Sequence, residues 1–374
     1  MAVSATEAID FQVDRDDLRH SRLVVEADRA PLAEGQVRFA IDRFALTSNN
    51  VSYAVAGDLL GYWGFFPAPD RWGRVPAMGF GDVVESRHPE VAVGTRCFGF
   101  FPMASELVVD ARPSGDRLVD AAPHRAQHAP VYRSYVPTGA DPLHAPARED
   151  EILLLRGLFL TSFLIDDFLA EVAFPAADLA IVTSASSKTS IALAHLLSRG
   201  EGVRVVGLTS ARNEAFVRGL GCYDEVVGYD GIGSIEHPGR AVLVDMAGDA
   251  DVVARVHERF GDRLLHSATV GATHWEAKPR SGTLPGPAPE FFFAPARIVK
   301  RSADWGPGGV DSRLGLAWQD FLPFVDTWLR VERHVGPEAL ERLWLDALGG
   351  RLDPREGHVV TLRGEAAPST RTNP

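Results

Sequence analysis

Leu179-Ala-Ile-Val-Thr-Ser-Ala-Ser-Ser-Lys-Thr-Ser-Ile-Ala-Leu-Ala-His-Leu-Leu197 is the stretch whose reading decides the fold. Its apolar run to Val182 suits a strand buried on both faces, and Ile191, Ala194 and Leu197 then repeat at helical spacing. The polar residues between them form a turn at a helix N-terminus. Unpaired backbone N–H groups and the positive end of the helix dipole converge at such a turn, which makes it a seat for phosphate. Ser184, Ser186, Ser187 and Thr189 offer hydroxyls there, and Lys188 adds a cation. The glycines that let a backbone approach a pyrophosphate are absent. Helix capping by Ser and Thr accounts for the turn equally well if it is taken alone.

The chain beyond the turn repeats the pattern. Val203 to Leu208 reads as a second strand, Asn213 to Gly219 as a short helix, Glu225 to Val227 as a third strand and Ala241 to Asp245 as a fourth. Val252 to Phe260 reads as a helix and Leu264 to Val270 as a fifth strand. Alternation at this spacing predicts a parallel sheet with right-handed crossovers. In such a sheet the end of the second strand meets the adenosine ribose, and NAD binders place an Asp or Glu there. This chain has Thr209-Ser-Ala-Arg-Asn213 and no acid. Thr209, Ser210 and Arg212 suit a 2′-phosphate, since guanidinium pairs well with phosphate oxygens, so NADP(H) is expected over NAD(H). Ser184, Tyr229, Ala247 and Gly271 stand at or just past strand ends, on the side where this architecture binds ligands, and are counted with the cofactor-binding residues.

Upstream, residues 8–45 alternate short apolar runs with polar turns, as strands of a half-solvated sheet do. An aromatic and proline-rich loop follows, with Tyr62-Trp-Gly-Phe-Phe-Pro and Trp72-Gly-Arg-Val-Pro. So many aromatics among loop residues form either a satellite core or the wall of an apolar pocket. Residues 111–149 make a long excursion in which Tyr132, Arg133 and Tyr135 either reach a substrate or pack on the surface. Glu151 to Ala170 predicts a buried helix between domains, with Asp166 and Asp167 on its solvated face.

At 374 residues, 45% hydrophobic and 24% charged, the chain has the composition of a two-domain globular protein. Its net charge of -12 without a basic stripe argues against nucleic acid as a partner. No charged-then-apolar leader and no bilayer-length apolar stretch are present, so a cytoplasmic protein without membrane association is expected. Cys97 and Cys222 stand far apart and supply neither a disulfide framework nor a clustered thiolate zinc site.

Four pieces carry a family resemblance: Asn49-Asn50-Val51-Ser52-Tyr53, Gly79-Phe-Gly-Asp-Val-Val84, Val93-Gly-Thr-Arg-Cys97 and Ala104-Ser-Glu-Leu107. In this order they resemble the barrel domain of medium-chain dehydrogenases and reductases, above all the zinc-free quinone and enoyl reductase branch. Further along, Leu220-Gly-Cys-Tyr-Asp224 and the closing strand Gly357-His-Val-Val-Thr-Leu362 resemble the same family, as does Phe291 to Ser302, which resembles its last core strand and a segment near its dimer contact. The Ser186-Ser187-Lys188-Thr189 turn marks a side branch.

The resemblance implies an α/β protein with a GroES-like β-barrel domain, residues 1–148 completed by 326–364, and a Rossmann-type doubly wound parallel-sheet domain, residues 149–325. Residues 365–374 are expected to be a disordered tail. Hydride transfer from NADPH to a carbonyl or an activated double bond of a small-molecule substrate is implied, in a homodimer or a monomer. Zinc-dependent members carry ligands where this chain has Gly79, Phe80, Gly81 and Asn50, so no metal is expected. Tyr53 or Tyr62 is the expected proton donor, Asn49 and Asn50 would orient a carbonyl, and His274 is a further acid-base candidate. A redox-neutral lyase or isomerase using Lys188 or His274 stays open, as does a non-catalytic binding subunit, because fold analogy does not separate these classes.

Overall fold

The computed structural model describes residues 7–174, 176–200, 202–270 and 283–363. The chain divides into two compact units, Met1–Leu154 with Arg330–Pro374 and Leu155–Leu329.

The first unit opens with β1 (Ala8–Asp14) and β2 (Ser21–Glu26), an antiparallel pair joined at its other edge by the short β4 (Trp72–Gly73). The six strands β3 (Gln36–Leu46), β5 (Pro76–Ser86), β6 (Arg96–Pro102), β9 (Ser134–Pro137), β8 (Arg117–Asp120) and β7 (Glu106–Ser114) follow one another around a closed barrel. Closure is possible because β3 pairs with β5 on one edge and with β7 on the other, through Gln36↔Asp110 to Ala40↔Glu106. Phe39, Phe101 and Tyr135 fill the interior, their ring centroids 5.1–5.5 Å apart. Large rings need small neighbours in a small barrel. A Cβ at Gly79 would stand 2.9 Å from Phe101, and one at Gly99 2.8 Å from Tyr135. From the far end of the chain, β16 (Arg330–Val335) pairs with β17 (Glu356–Thr361), which runs antiparallel to β3.

The Asn49–Tyr53 stretch lies in a helix, α1 (Ser48–Val55), and capping explains it. Thr47 is the N-cap, and Asn50 closes the reciprocal bond by accepting the Thr47 N–H at 2.7 Å. The long α2 (Glu149–Val172) starts with three acids, favourable at the positive end of the helix dipole. There Arg96 bonds Glu149, Asp42 and Asp82 at 2.6–2.9 Å.

The second unit is a six-stranded parallel sheet of the Rossmann type: β10 (Leu179–Val182), β11 (Arg204–Thr209), β12 (Glu225–Gly228), β13 (Ala241–Asp245), β14 (Leu264–Thr269) and β15 (Glu290–Phe291). Their spatial order is β12-β11-β10-β13-β14-β15, so the order reverses between β10 and β13. Leu179 and Ile181 enter the core on one face of the sheet and Ala180 and Val182 the core on the other, which is why this run is apolar without alternation. The helices α3 (Lys188–Leu197), α4 (Glu214–Gly219) and α5 (Ala250–Phe260) return the chain between strands.

Two expectations need correction here. Phe291 to Ser302 is not a core strand: β15 ends at Phe291, and α6 (Ala294–Trp305) begins at once because Pro295 suits the first turn of a helix. Phe291 and Phe293 are exposed, while Phe292 packs on Phe168. Asp166 and Asp167 are not simply solvated. Asp167 accepts from Arg297 and Arg301, each at 2.7 Å, and Asp166 is half-buried, its carboxyl raised to about 6 by burial and by the Asp167 charge. The helix α7 (Gly309–Val325) packs Phe321 against Phe159 with rings stacked at 4.7 Å, and α8 (Pro337–Leu348) belongs to the first unit, where Trp344 donates to the Leu18 carbonyl at 2.8 Å. Among the described residues no helix is long and apolar enough to cross a membrane.

Candidate functional site

In the second unit, the turn from Thr183 to Ser187 leaves the C-terminal end of β10 and enters α3, with Lys188 as the first helical residue. Its foundation is Thr183, which is fully buried. Thr183 Oγ1 donates to Asp245 at 2.6 Å and accepts from the N–H groups of Met246 and Ala247, tying the ends of β10 and β13 together. Ser184 adopts φ +49°, a left-handed conformation that glycine adopts readily and serine rarely. Its N–H donates to the Tyr229 hydroxyl at 3.2 Å. The next residue is held as well, since the Tyr223 hydroxyl donates to the Ala185 carbonyl at 2.9 Å. Ser186 Oγ accepts from Asn213 Nδ2 at 3.0 Å. Ser187 is the N-cap of α3: its Oγ accepts from the Ser190 N–H and donates to Ser190 Oγ at 2.8 Å, and Ser190 Oγ donates to the Thr183 carbonyl.

The turn therefore acquires without glycine the shape that glycines usually permit, through side chains that fix three consecutive residues. Burial raises the Tyr229 phenol to about 12 and pushes the Tyr223 phenol well up, so both keep their protons. Ser186, Ser187, Lys188 and Thr189 are half-buried, set where the helix dipole favours an anion.

The neighbouring strand β11 ends in buried Thr209, and Ser210 opens a single 3-10 turn that carries exposed Arg212. Tyr229 follows β12, and Ala247, fully buried, follows β13. Ser184, Ser186, Ser187, Lys188, Thr189, Thr209, Ser210, Arg212, Tyr229 and Ala247 thus share the C-terminal edge of one sheet, around the point where strand order reverses. Two of the acids on that edge have structural work: Asp245 accepts from Thr183, and Asp249 caps α5 by accepting from the Asp251 and Val252 N–H groups. A hydroxyl-lined helix N-terminus beside a corner bearing a guanidinium fits the diphosphate and 2′-phosphate of a dinucleotide. Gly271 and His274 lie outside the described residues.

In the first unit, Tyr53, Tyr62, Asn49 and Asn50 come together around α1. Asn50 is buried and its amide is bonded at both ends, Oδ1 to the Thr47 N–H and Nδ2 to the Pro76 carbonyl at 2.9 Å. Tyr53 is one helical turn beyond Asn49 and hydrogen-bonds its side chain; burial, then the neighbouring Tyr62, pushes its phenol up. The Tyr53 and Tyr62 rings lie 4.7 Å apart, and the Tyr62 hydroxyl is hydrogen-bonded to that of Tyr132.

Phe65, Phe66 and Phe100 complete this cluster, which is a packed satellite core. Tyr53 and Tyr132 form its half-buried rim. Beneath it Arg125, fully buried, donates to the carbonyls of Phe65 and Tyr132 at 2.7 and 2.5 Å and lies over the Phe66 ring. Tyr135 belongs to the barrel core and not to this rim.

At the positions resembling zinc-ligand sites, Gly79 and Gly81 give room to Phe101, and Phe80 is fully buried against Phe98. Among the described residues no group of three or more His, Cys, Asp and Glu is placed to hold a metal. Cys97 and Cys222 are buried and free, each thiol raised to about 12 by burial.

Sequence reasoning missed Tyr223, Asn213 and Arg125. The signal for Asn213 was its place at the start of a helix after the second strand, but a cap was the reading that position invited. Nothing local marked Tyr223 or Arg125: the Tyr223 partner lies 38 residues away, and Arg125 ties Tyr132 to Phe65, 60 residues before it.

Solved structures that share this architecture include the following three. CurA from Vibrio vulnificus superposes with a TM-score of 0.61 at 12% identity, over 96% of this chain and 99% of its own. The quinone oxidoreductase from Coxiella burnetii does so with 0.53 at 13%, over 96% and 100%. The yhdH oxidoreductase from Salmonella enterica, in complex with NADP, gives 0.53 at 15%, over 96% and 100%. At these identities the likeness is one of fold, and it bears out the expected GroES-like barrel joined to a Rossmann-type sheet. Among curated proteins none matches the sequence. One family model does, over residues 44–353, and the chain accordingly belongs to the family described as "Protein of unknown function (DUF2855)".

Proposed function

We propose that this protein is an NADPH-dependent, zinc-independent oxidoreductase of the cytoplasm that reduces a carbonyl or an activated C=C bond of a small organic or acyl substrate. One observation carries the reading: the α3 N-terminal turn and the Thr209-Ser-Ala-Arg212 corner, whose own four residues include no Asp or Glu, lie side by side on the C-terminal edge of a parallel sheet. The bound NADP seen in a structure of the same fold supports it.

When bound, NADPH supplies the hydride. The protein's part is to hold the phosphates, exclude water and deliver a proton. Ser186 and Lys188 would hold the diphosphate, and Arg212 with Ser210 and Thr209 the 2′-phosphate. Tyr53 or Tyr62 would deliver the proton, since burial keeps both phenols protonated and a protonated phenol can donate to a carbonyl oxygen. Asn49 would hold the Tyr53 hydroxyl in place. Asn50 would contribute first by capping α1, since its Oδ1 and one Nδ2 hydrogen are already bonded within the protein.

Fluorescence titration of the purified protein with NADPH and with NADH tests the reading. Saturable binding with NADPH the tighter ligand is expected. Absence of binding, or equal affinity for the two, would sink it. Tyr53→Phe and Tyr62→Phe then identify the proton donor, which should lose turnover while binding NADPH as the parent does.

A further inference from the structure

We propose that Asn213 is a positioning residue that sets cofactor affinity, by orienting Ser186 so that its hydroxyl hydrogen faces the ligand phosphate. The proposal rests on the reading that a dinucleotide binds at this turn.

Asn213 occupies the N-cap of α4, a position where asparagine normally turns its side-chain oxygen onto the helix's own N–H groups. Here the side chain makes no capping bond. It reaches instead to Ser186, 27 residues earlier, and Nδ2 donates to Oγ at 3.0 Å. An amide nitrogen can only donate, so the serine oxygen is the acceptor in this bond and its own hydrogen points elsewhere.

The other turn hydroxyls are differently placed. Ser187 gives its hydrogen to Ser190, and Ser190 gives its own to the Thr183 carbonyl. Of Ser186, Ser187 and Ser190, Ser186 is therefore the one whose bond within the turn uses its oxygen as acceptor and leaves its hydrogen to donate elsewhere, where a glycine-rich turn would present bare N–H groups. Tyr229 and Tyr223 hold Ser184 and Ala185, and Asn213 continues the series at Ser186.

Asn213 also belongs to the second half of the site. Its backbone N–H donates to the Ser210 carbonyl at 2.9 Å, closing the 3-10 turn that carries Arg212. One residue thus shapes the corner through its backbone and the phosphate turn through its side chain.

Asn213→Ala, Asn213→Asp, Ser186→Ala and the Asn213→Ala/Ser186→Ala double variant, each with the parent, are to be titrated calorimetrically with NADPH and melted without ligand. Each alanine variant should raise Kd about tenfold, the scale of one hydrogen bond to a charged group. The double variant should be no weaker than either single one, because both remove the same contact. That non-additivity is the discriminating result, and Asn213→Asp adds a second check. A carboxylate would accept the Ser186 hydrogen and turn it away from the phosphate, so this variant should bind more weakly than Asn213→Ala, although aspartate is an excellent N-cap and the apo melting temperature should not fall. A parent that binds NADPH with an aspartate variant of normal affinity, or with additive single effects, overturns the role of Asn213 alone. A parent that binds no NADPH overturns the functional reading and this role together.

Discussion

Thr183 Oγ1 donates to Asp245 Oδ1 at 2.6 Å, and both groups are buried at the adjoining ends of β10 and β13. The same carboxylate oxygen accepts from the Ala247 N–H at 3.0 Å, while Thr183 Oγ1 accepts from Met246 and Ala247. Thr183→Val keeps the shape and removes every one of the hydroxyl's bonds. Leaving buried polar groups without this partner should cost about 2–3 kcal/mol, measured by urea unfolding. Thr183→Ser, which keeps the hydroxyl, should lose less than half of that.

Arg212→Ala should weaken NADPH binding by about 1.5–3 kcal/mol, the worth of a hydrogen bond between charged groups, and hardly change NADH. Parallel fluorescence titrations check this. Equal losses for both cofactors would place Arg212 away from the 2′-phosphate.

Lys188 opens α3, where a cation opposes the helix dipole. If a cofactor diphosphate compensates, Lys188→Ala should raise the NADPH Kd and leave the apo melting temperature unchanged or higher. Normal binding with lost turnover would assign Lys188 to the chemistry instead.

Asp166 should give stability a pH dependence. Its carboxyl is raised from the ordinary 3.8 to about 6 by burial and by Asp167. The folded state therefore holds the proton more tightly than the unfolded one. The stability that this adds is complete below the unfolded value and is lost as pH rises through about 6. Asp166→Asn should flatten that slope and stabilise the protein by about 1–3 kcal/mol at pH 7.5. Urea unfolding of both proteins between pH 4.5 and 8, as a guide to the expected window, is the test. Parallel slopes would show that Asp166 is ordinarily solvated.

The parallel sheet was legible because strands such as Leu179–Val182 are buried on both faces and leave a continuous apolar run, and because Ser187 caps α3 with the residue type that caps demand. The α1 helix was not legible. Its eight residues include Asn49, Asn50 and Val51, poor helix formers, and its stability comes from the Thr47–Asn50 capping box and from burial of Val51 and Ala54. Asp166 misled because a helical repeat gives the angle of a residue around its axis and says nothing of what packs there. In the turn that opens α3 the hydroxyls could be read directly. The side chains that hold them could not, since Tyr229 lies 45 residues from Ser184 and only the parallel pairing of β10, β11 and β12 brings them together.

Gly207 lies within β11 directly below the turn, and a Cβ there would stand 2.9 Å from Ala185 Cβ and 2.8 Å from the Tyr223 ring. The methyl group of Ala185 thus occupies the space that a side chain at 207 would need. Turn and strand have exchanged a single carbon atom's worth of volume, so positions 185 and 207 form one unit of substitution. A glycine-rich turn grafted onto this chain would open a gap above Gly207 and would have to bring a larger residue at 207 and a replacement for Tyr223. The serine turn is inherited together with the floor it stands on.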